Sequence, residues 1–77
     1  MKELLEYMVK ELVDNPENVE IEEEEEDEKT VTFKLSVAEE DLGKVIGKKG
    51  RTANALRVIM RAASAKRGKS SIVKIMD

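Results

Sequence analysis

The sequence predicts an α+β domain with the element order α-β-β-α-α-β, in which three helices lie on one face of a three-stranded mixed sheet. Apolar residues recur at helical spacing in three segments of the chain and alternate with polar residues in two others, and a short apolar run closes the chain. The chain has 77 residues, which is enough for one modest hydrophobic core. We therefore interpret residues 1–77 as a single domain.

The first helix is predicted over residues 2–13. Its apolar residues lie three and four positions apart, so they share one side of the helix. They are Leu4, Leu5, Met8, Val9, Leu12 and Val13. The pair Asn15-Pro16 ends the helix, because proline disfavours helical geometry in the residue before it.

Two strands follow, because the apolar period changes to two. Val19 and Ile21 alternate with glutamates, and the odd-numbered residues of 31–37 are apolar. An antiparallel pairing of Ile21 with Phe33 or with Leu35 keeps both apolar sets on one face. The even-numbered side chains of the second strand are expected on the opposite, solvated face. They are Thr30, Thr32, Lys34 and Ser36.

The run from Glu22 to Glu28 is entirely acidic and lies between these two strands. Either pairing leaves a short loop near Asp27, so we interpret the run as a solvated hairpin whose tip projects beyond the core. A disordered acidic segment that mimics nucleic acid is the alternative. It does not suit seven residues inside a strand pattern.

Two helices separated by glycines are predicted next. The first begins at about residue 38, with acidic residues 39–41 suited to its positive N-terminal end, and Gly47 ends it. The second runs from after Gly50 to about Arg67, and Gly68 is a suitable C-terminal cap. Its inner side is expected to carry Ala53, Leu56, Ile59, Met60 and Ala63.

The last strand is predicted at Ile72–Ile75. About thirty residues of helical pattern precede it, so it should lie parallel to the second strand through a right-handed crossover. Ile72, Lys74 and Met76 share one side of this strand, while Val73 and Ile75 share the other. Because both sides are substantially apolar, we predict that a second copy of the chain covers one of them in a weak homodimer.

The composition excludes several classes of function. The chain has no cysteine and no histidine, so thiolate metal sites and the commonest general base are absent. No apolar run is long enough for a membrane span or a signal peptide, which predicts a cytoplasmic protein without membrane contact. We expect no enzymatic activity, no metal and no cofactor.

The charges are segregated along the chain. Residues 1–41 hold sixteen Asp or Glu against four Lys, and residues 42–77 hold ten Lys or Arg against one Asp. The two parts therefore carry net charges of −12 and +9, although the whole chain has a net charge of only −3. This asymmetry indicates a polyanionic partner for the basic part.

The segment Gly47-Lys48-Lys49-Gly50 interrupts the two predicted helices. Glycine permits sharp turns and the close approach of another molecule, and lysines at such a break face water or an anion. The N–H groups at the start of the following helix would point at a phosphate. Arg51 and Asn54 adjoin the break, and Arg57 could reach the same side.

A GxxG segment between two helices, after a two-stranded hairpin, resembles the KH domain of type II. Residues 42–53, with the sequence LGKVIGKKGRTA, resemble the signature of small bacterial single-KH proteins, the KH domain protein A or YlqC family. The resemblance covers the whole chain. It implies a grip on about four nucleotides of single-stranded RNA, in a groove beside the loop.

The resemblance also implies which residues bind RNA. Gly43 would lie mid-helix, at a cost of about 1 kcal/mol relative to alanine, which either a base or a packed helix passing close would explain. Leu42, Val45 and Ile46 belong either to the floor of the groove or to the core. The predicted RNA-binding residues are Gly43, Lys44, Val45, Ile46, Gly47, Lys48, Lys49, Gly50, Arg51, Asn54 and Arg57.

Other interpretations of this segment are weaker or complementary. The glycine spacing does not fit a P-loop, and Tyr7 and Phe33 are the only aromatic residues, too few for base stacking on a sheet. A protein-docking module is the main alternative. The family resemblance implies self-pairing, a larger KH-containing partner, and a role as an RNA chaperone or post-transcriptional regulator linked to cell-envelope growth and cell shape.

Overall fold

The structure of the protein, a computed structural model, describes all 77 residues and has the predicted order of three helices and three strands. The helices are α1 (Lys2–Leu12), α2 (Leu42–Ile46) and α3 (Arg51–Ala65). The strands are β1 (Glu20–Glu25), β2 (Thr30–Ser36) and β3 (Ser70–Ile75). Short 3₁₀ turns lie at Pro16–Asn18, Glu39–Asp41 and Lys48–Gly50. The predicted α+β class is confirmed.

The sheet is mixed and β2 is its central strand. β1 pairs with β2 antiparallel, and of the two predicted registers the structure has Ile21 opposite Leu35. β3 pairs with β2 in parallel, with Val73 opposite Phe33. The predicted parallel arrangement of β2 and β3, joined by a long helical connection, is therefore confirmed.

One hydrophobic core lies between the helices and the odd-numbered face of the sheet. Because side chains alternate along a strand, Ile21, Phe33 and Val73 all point to this face. The core residues are Leu5, Val9, Val13, Val19, Ile21, Val31, Phe33, Leu35, Val45, Leu56, Met60 and Val73. All three helices contribute, so the sheet is covered on one face as predicted.

Several side chains lie elsewhere than their positions in the pattern indicate. On α1, Leu4 and Leu12 belong to the predicted apolar side but are 38% and 39% exposed. Thr32 was expected in water but is buried, because it lies on the central strand between Glu24 and Ile72, and its hydroxyl donates to Glu26 Oε1 at 2.9 Å. Ile59 was expected in the core but its side chain is 43% exposed. The buried side of α3 instead continues through Ser64.

The predicted helix boundaries need small corrections. α2 begins at Leu42 rather than near residue 38, because the preceding acidic residues form a 3₁₀ turn. α3 ends at Ala65 rather than Arg67. Gly68, with a φ of 71°, closes it in a Schellman motif: Lys69 N–H donates to Ser64 O at 2.9 Å, and Gly68 N–H donates to Ala65 O at 3.0 Å.

The acidic hairpin and the glycine break lie at opposite ends of α3. The break immediately precedes α3, whereas Ser70 N–H, shortly after α3, donates to Lys29 O in the hairpin loop. A 15-residue helix is about 22 Å long, so the two features are well separated. Near the hairpin, Lys69 pairs with Glu25 at 3.6 Å. No helix of the structure is long and apolar enough to cross a bilayer.

Candidate nucleic-acid interface

The loop from Gly47 to Gly50 is a tight turn built from left-handed backbone. Gly47 has a φ of 76° and Gly50 has the same value, and between them Lys49 has a φ of 57°. The Gly50 N–H donates to Gly47 O at 3.1 Å and closes the turn. A left-handed conformation costs a residue with a side chain about 1–2 kcal/mol, so Lys49 carries backbone strain at an exposed position.

The two glycines are needed for different reasons. A Cβ atom on Gly47 would lie 2.7 Å from Thr52 Cβ and 2.8 Å from Thr52 N, so the start of α3 packs directly against this glycine. A Cβ atom on Gly50 would meet no atom within 4 Å. Gly47 therefore lets the chain pack closely on itself, whereas Gly50 leaves open space where another molecule can approach.

Three cations adjoin Gly50 in the chain. Lys48, Lys49 and Arg51 are exposed and form no ion pair. α3 begins beside them with no side-chain cap and no acidic residue in its first turn. The Arg51 N–H donates to Lys48 O, whereas the next N–H groups of a first helical turn have no intrahelical acceptor, and the helix dipole places positive charge there. The arrangement can hold an anion such as a phosphate.

Lys44 does not join these cations. Its Nζ lies 3.0 Å from Asp14 Oδ2 and 3.7 Å from Asp41 Oδ1, on the side of α2 that faces the segment after α1. The hydrogen bond and the negative charge of Asp14 raise the pKa of Lys44. The structure thus places this predicted RNA-binding residue in an intramolecular ion-pair network.

The buried carboxylate of Asp41 is the feature that sequence reasoning missed. It was predicted only to suit the positive N-terminal end of a helix, but it is fully buried and accepts hydrogen bonds from Asp14 N, Asn15 N and Asn15 Nδ2 at 3.2, 2.9 and 3.0 Å. Burial raises the pKa of Asp41, but these hydrogen bonds and the charge of Lys44 outweigh burial, so the pKa lies below its usual value. No local sequence pattern joins residues so far apart.

The apolar residues of α2 divide between the core and the surface. Val45 is buried, whereas the side chain of Ile46 is 39% exposed. Gly43 is exposed, and a Cβ atom there would meet nothing within 4 Å. No helix packs on Gly43, which removes that explanation. Because α2 begins at Leu42, Gly43 is the second residue of the helix and not mid-helix as predicted, so the cost expected of an interior glycine is reduced. The space beside it is open to a molecule from outside the chain. Leu42 lines a shallow depression together with residues from the ends of β2 and β3.

Arg57 and Asn54 belong to α3, and Arg57 connects this helix to the edge of the sheet. Arg57 Nε donates to Val73 O at 3.3 Å, and its Nη1 donates to Asn54 Oδ1 at 3.4 Å. Val73 belongs to the edge strand β3. Ser70 and Met76 donate their N–H groups toward β2, so the odd-numbered Val73 directs its carbonyl to the free edge. The guanidinium is half-buried and held at two points. It marks the boundary between α3 and the free edge of β3.

Comparisons with known proteins agree on one family. Residues 2–75 match the family model described as "KhpA/KhpB, KH domain". A protein named "RNA-binding protein KhpA" from Listeria monocytogenes is 47% identical over 77 residues, which is all of both chains. Proteins with the same name from Clostridium perfringens, 46% identical over 99% of this chain and 100% of theirs, and from Aquifex aeolicus, 47% identical over 100% and 96%, are similar as well. No solved structure matches the chain.

Proposed function

The chain belongs to the KhpA/KhpB family of KH domains, and from this premise we propose that it binds single-stranded RNA through the loop Gly47–Gly50 and the surface beside it. The binding is non-catalytic and has low sequence specificity. The observation that supports the proposal most directly is the group of unpaired cations, Lys48, Lys49 and Arg51, around the uncapped start of α3. The similar proteins named for RNA binding support the choice of RNA as the polyanion.

The phosphates contact the loop and the first turn of α3. Gly50 leaves room for a sugar–phosphate backbone to approach, and the N–H groups that follow Arg51 in the first turn of α3 supply donors without a side chain. Lys48 and Lys49 add charge that follows a mobile strand, because lysine does not require a fixed geometry. Neutralised phosphates supply most of the affinity when binding is not sequence-specific.

The bases lie over α2 and toward the edge of β3. Ile46 offers an exposed apolar surface next to the loop, and the open space over Gly43 admits a base or a ribose. Arg57, which is hydrogen-bonded to Asn54, lies at the edge of β3. Four nucleotides in one such groove give limited affinity, which suits an RNA chaperone or post-transcriptional regulator that acts with further binding sites.

Photo-crosslinking to a uridine-rich single strand, followed by mapping of the crosslinked peptides, tests the proposal. We expect crosslinks within residues 43–57 and weaker binding of a duplex of the same length. Crosslinks concentrated in the acidic hairpin, or equal affinity for duplex and single strand, would place the function elsewhere.

Gly43→Ala separates the RNA groove from the stability of the domain. Alanine should stabilise α2 by less than about 1 kcal/mol, because it has the higher helix propensity and its Cβ atom meets no neighbour, but position 43 lies in the first turn and not in the helix interior. RNA affinity should nevertheless fall several-fold, since the added methyl group occupies space proposed for the nucleotide. Urea unfolding and RNA titration measure the two effects. A more stable variant that binds RNA as tightly as the parent would remove Gly43 from the site.

We further propose that the protein forms a weak homodimer through the open side of β3. Ile72 and Met76 lie on the sheet face that no helix covers, and their side chains are 45% and 46% exposed. Light scattering at high protein concentration should show a mass above 8.7 kDa, and Ile72→Glu should reduce it. Ile59→Glu, on the outer side of α3, is the matched control. Loss of the dimer in this control alone would move the interface to α3.

A second candidate function is docking to a larger KH-containing protein. The observation that favours it is the apolar outer side of α3, where Val58 and Ile59 are 57% and 43% exposed. This side is distinct from the phosphate-binding loop, so docking and RNA binding are compatible. A protein that retains its partner after Lys48 and Lys49 are replaced would support this function.

A further inference from the structure

We infer that Asp41 is a positioning residue for the phosphate-binding loop: its buried carboxylate fixes the start of α2 to the segment after α1. We call the network of Asp41, Asp14, Asn15 and Lys44 the clamp; Lys44 belongs to it and not to the RNA-contacting surface. The inference rests on the proposed function, because it explains how the loop of that same site is held in place. It removes Lys44 from the predicted RNA-binding residues and adds Asp41 as a residue that affects RNA binding without contacting RNA.

The clamp joins two parts of the chain that are distant in sequence. Asp41 accepts three hydrogen bonds from residues 26 and 27 positions away, two of them from backbone N–H groups of Asp14 and Asn15. Lys44 then bridges the carboxylates of Asp14 and Asp41 from the next turn. The network satisfies backbone donors of the chain just after α1, which would otherwise be partly buried without partners.

The side chain of Asp41 does not serve α2 in the usual way. Asp41 is the N-cap residue of α2, a position where a carboxylate commonly accepts hydrogen bonds from the first helical N–H groups. Here the side chain makes no cap hydrogen bond and is directed entirely to the segment after α1. Its role is therefore to place the helix relative to the rest of the domain.

α2 needs such a constraint more than a long helix would. It has five residues, well below the length at which a helix is stable by itself, and Val45 is its only buried residue. α2 leads directly into Gly47, whose backbone packs on Thr52. Val45 and Asp41 are thus the two anchors that set the direction from which the chain enters the loop.

Loss of the clamp should change RNA affinity in a way that differs from loss of a phosphate contact. If α2 is less well held, a smaller fraction of molecules has the binding-competent loop, and affinity falls by that fraction at every salt concentration. A lost phosphate contact instead reduces the slope of log affinity against log salt by roughly 0.7 for a single strand. In a plot of log affinity against log salt concentration, a positioning residue therefore changes only the intercept, whereas a residue that contacts phosphate also changes the slope.

The experiment is an RNA titration at four salt concentrations with Asp41→Asn, Lys44→Gln and Lys48→Gln. We expect Asp41→Asn to weaken binding by about 3- to 10-fold with an unchanged slope, by loss of competent loop. Lys44→Gln should change affinity less than about 2-fold, also with an unchanged slope, whereas Lys48→Gln should lower the slope. A slope change for Lys44→Gln equal to that of Lys48→Gln would overturn its assignment to the clamp. Unaltered RNA affinity of Asp41→Asn would overturn the positioning role.

Amide hydrogen exchange without RNA provides the readout that global destabilisation alone would not produce. The Gly47 N–H donates to Gly43 O at the end of α2, and the Gly50 N–H closes the loop turn. Asp41→Asn should accelerate exchange at these two glycines more than at Phe33 in the central strand. Equal acceleration at all three sites would overturn the inference. If Asp41→Asn does not fold, Asn15→Ala removes only one hydrogen bond of the clamp and should shift both measurements in the same direction by a smaller amount.

A matched control is Asp27→Asn. Asp27 also accepts two backbone N–H hydrogen bonds, from Lys29 and Thr30, but it lies in the hairpin at the other end of α3. This variant should leave RNA affinity and loop exchange unchanged, and a loss equal to that of Asp41→Asn would overturn the positioning role. If Lys48→Gln leaves both slope and affinity unchanged, the proposed RNA site is wrong and the inference falls with it. If Lys48→Gln behaves as expected and Asp41→Asn does not, the inference alone is wrong.

Discussion

Replacing Lys48 and Lys49 together by aspartate is expected to reduce RNA affinity by about 100-fold or more at low salt, because it removes phosphate neutralisation and adds repulsion. Stability should change by no more than about 1 kcal/mol, since both side chains are exposed and neither forms an ion pair. Aspartate is also among the residues that tolerate the left-handed backbone of position 49. The variant therefore changes charge with little effect on the fold.

The measurement is a thermal melt beside an RNA titration at several salt concentrations. Three or four phosphate contacts give the parent protein a slope of roughly −2 to −3 for log affinity against log salt. Lys66→Asp with Arg67→Asp makes the same charge change at the other end of α3 and should weaken binding much less. A loop variant that melts normally and binds RNA as well as the parent would favour the protein-docking function.

Gly47→Ala is expected to be the most destabilising small substitution in the loop, at about 3 kcal/mol. The new methyl group would clash with the backbone and side chain of Thr52, and the backbone of Gly47, at φ 76° and ψ 173°, is one that residues with a side chain rarely adopt. RNA binding should be lost as well, because relief of the clash moves the loop away from the start of α3.

Gly50→Ala is the matched comparison. Its φ is also 76°, but its added methyl group meets no atom, so the cost should be only about 1 kcal/mol. RNA affinity should still fall, since the methyl group lies where a phosphate approaches. Urea unfolding of both variants tests the difference. Equal destabilisation by the two substitutions would show that the contact of Gly47 with Thr52 does not matter to stability.

The order of the elements and the position of the loop follow from local patterns in the sequence. A period of two in Val19–Ile21 and in β2, and a period near 3.6 in α1 and α3, report which side of each element meets the core. The glycines at 47 and 50 mark the turn between α2 and α3, because their backbone conformations are accessible to few other residues. These features depend on neighbours within a few positions, so the sequence by itself determined them.

Only the tertiary structure decided which charged side chains are unpaired and which form ion pairs or hydrogen bonds within the domain. Lys44 and Lys48 look equivalent in the sequence, but a carboxylate 30 residues before Lys44 pairs with it, while Lys48 has no such neighbour. Asp41 looked like a helix-end charge and is instead buried among donors 26 and 27 positions away. The physical reason is that hydrogen bonds and ion pairs require distances of about 3 Å. Folding brings segments that are distant in sequence to such distances, and no local sequence pattern indicates which segments will meet.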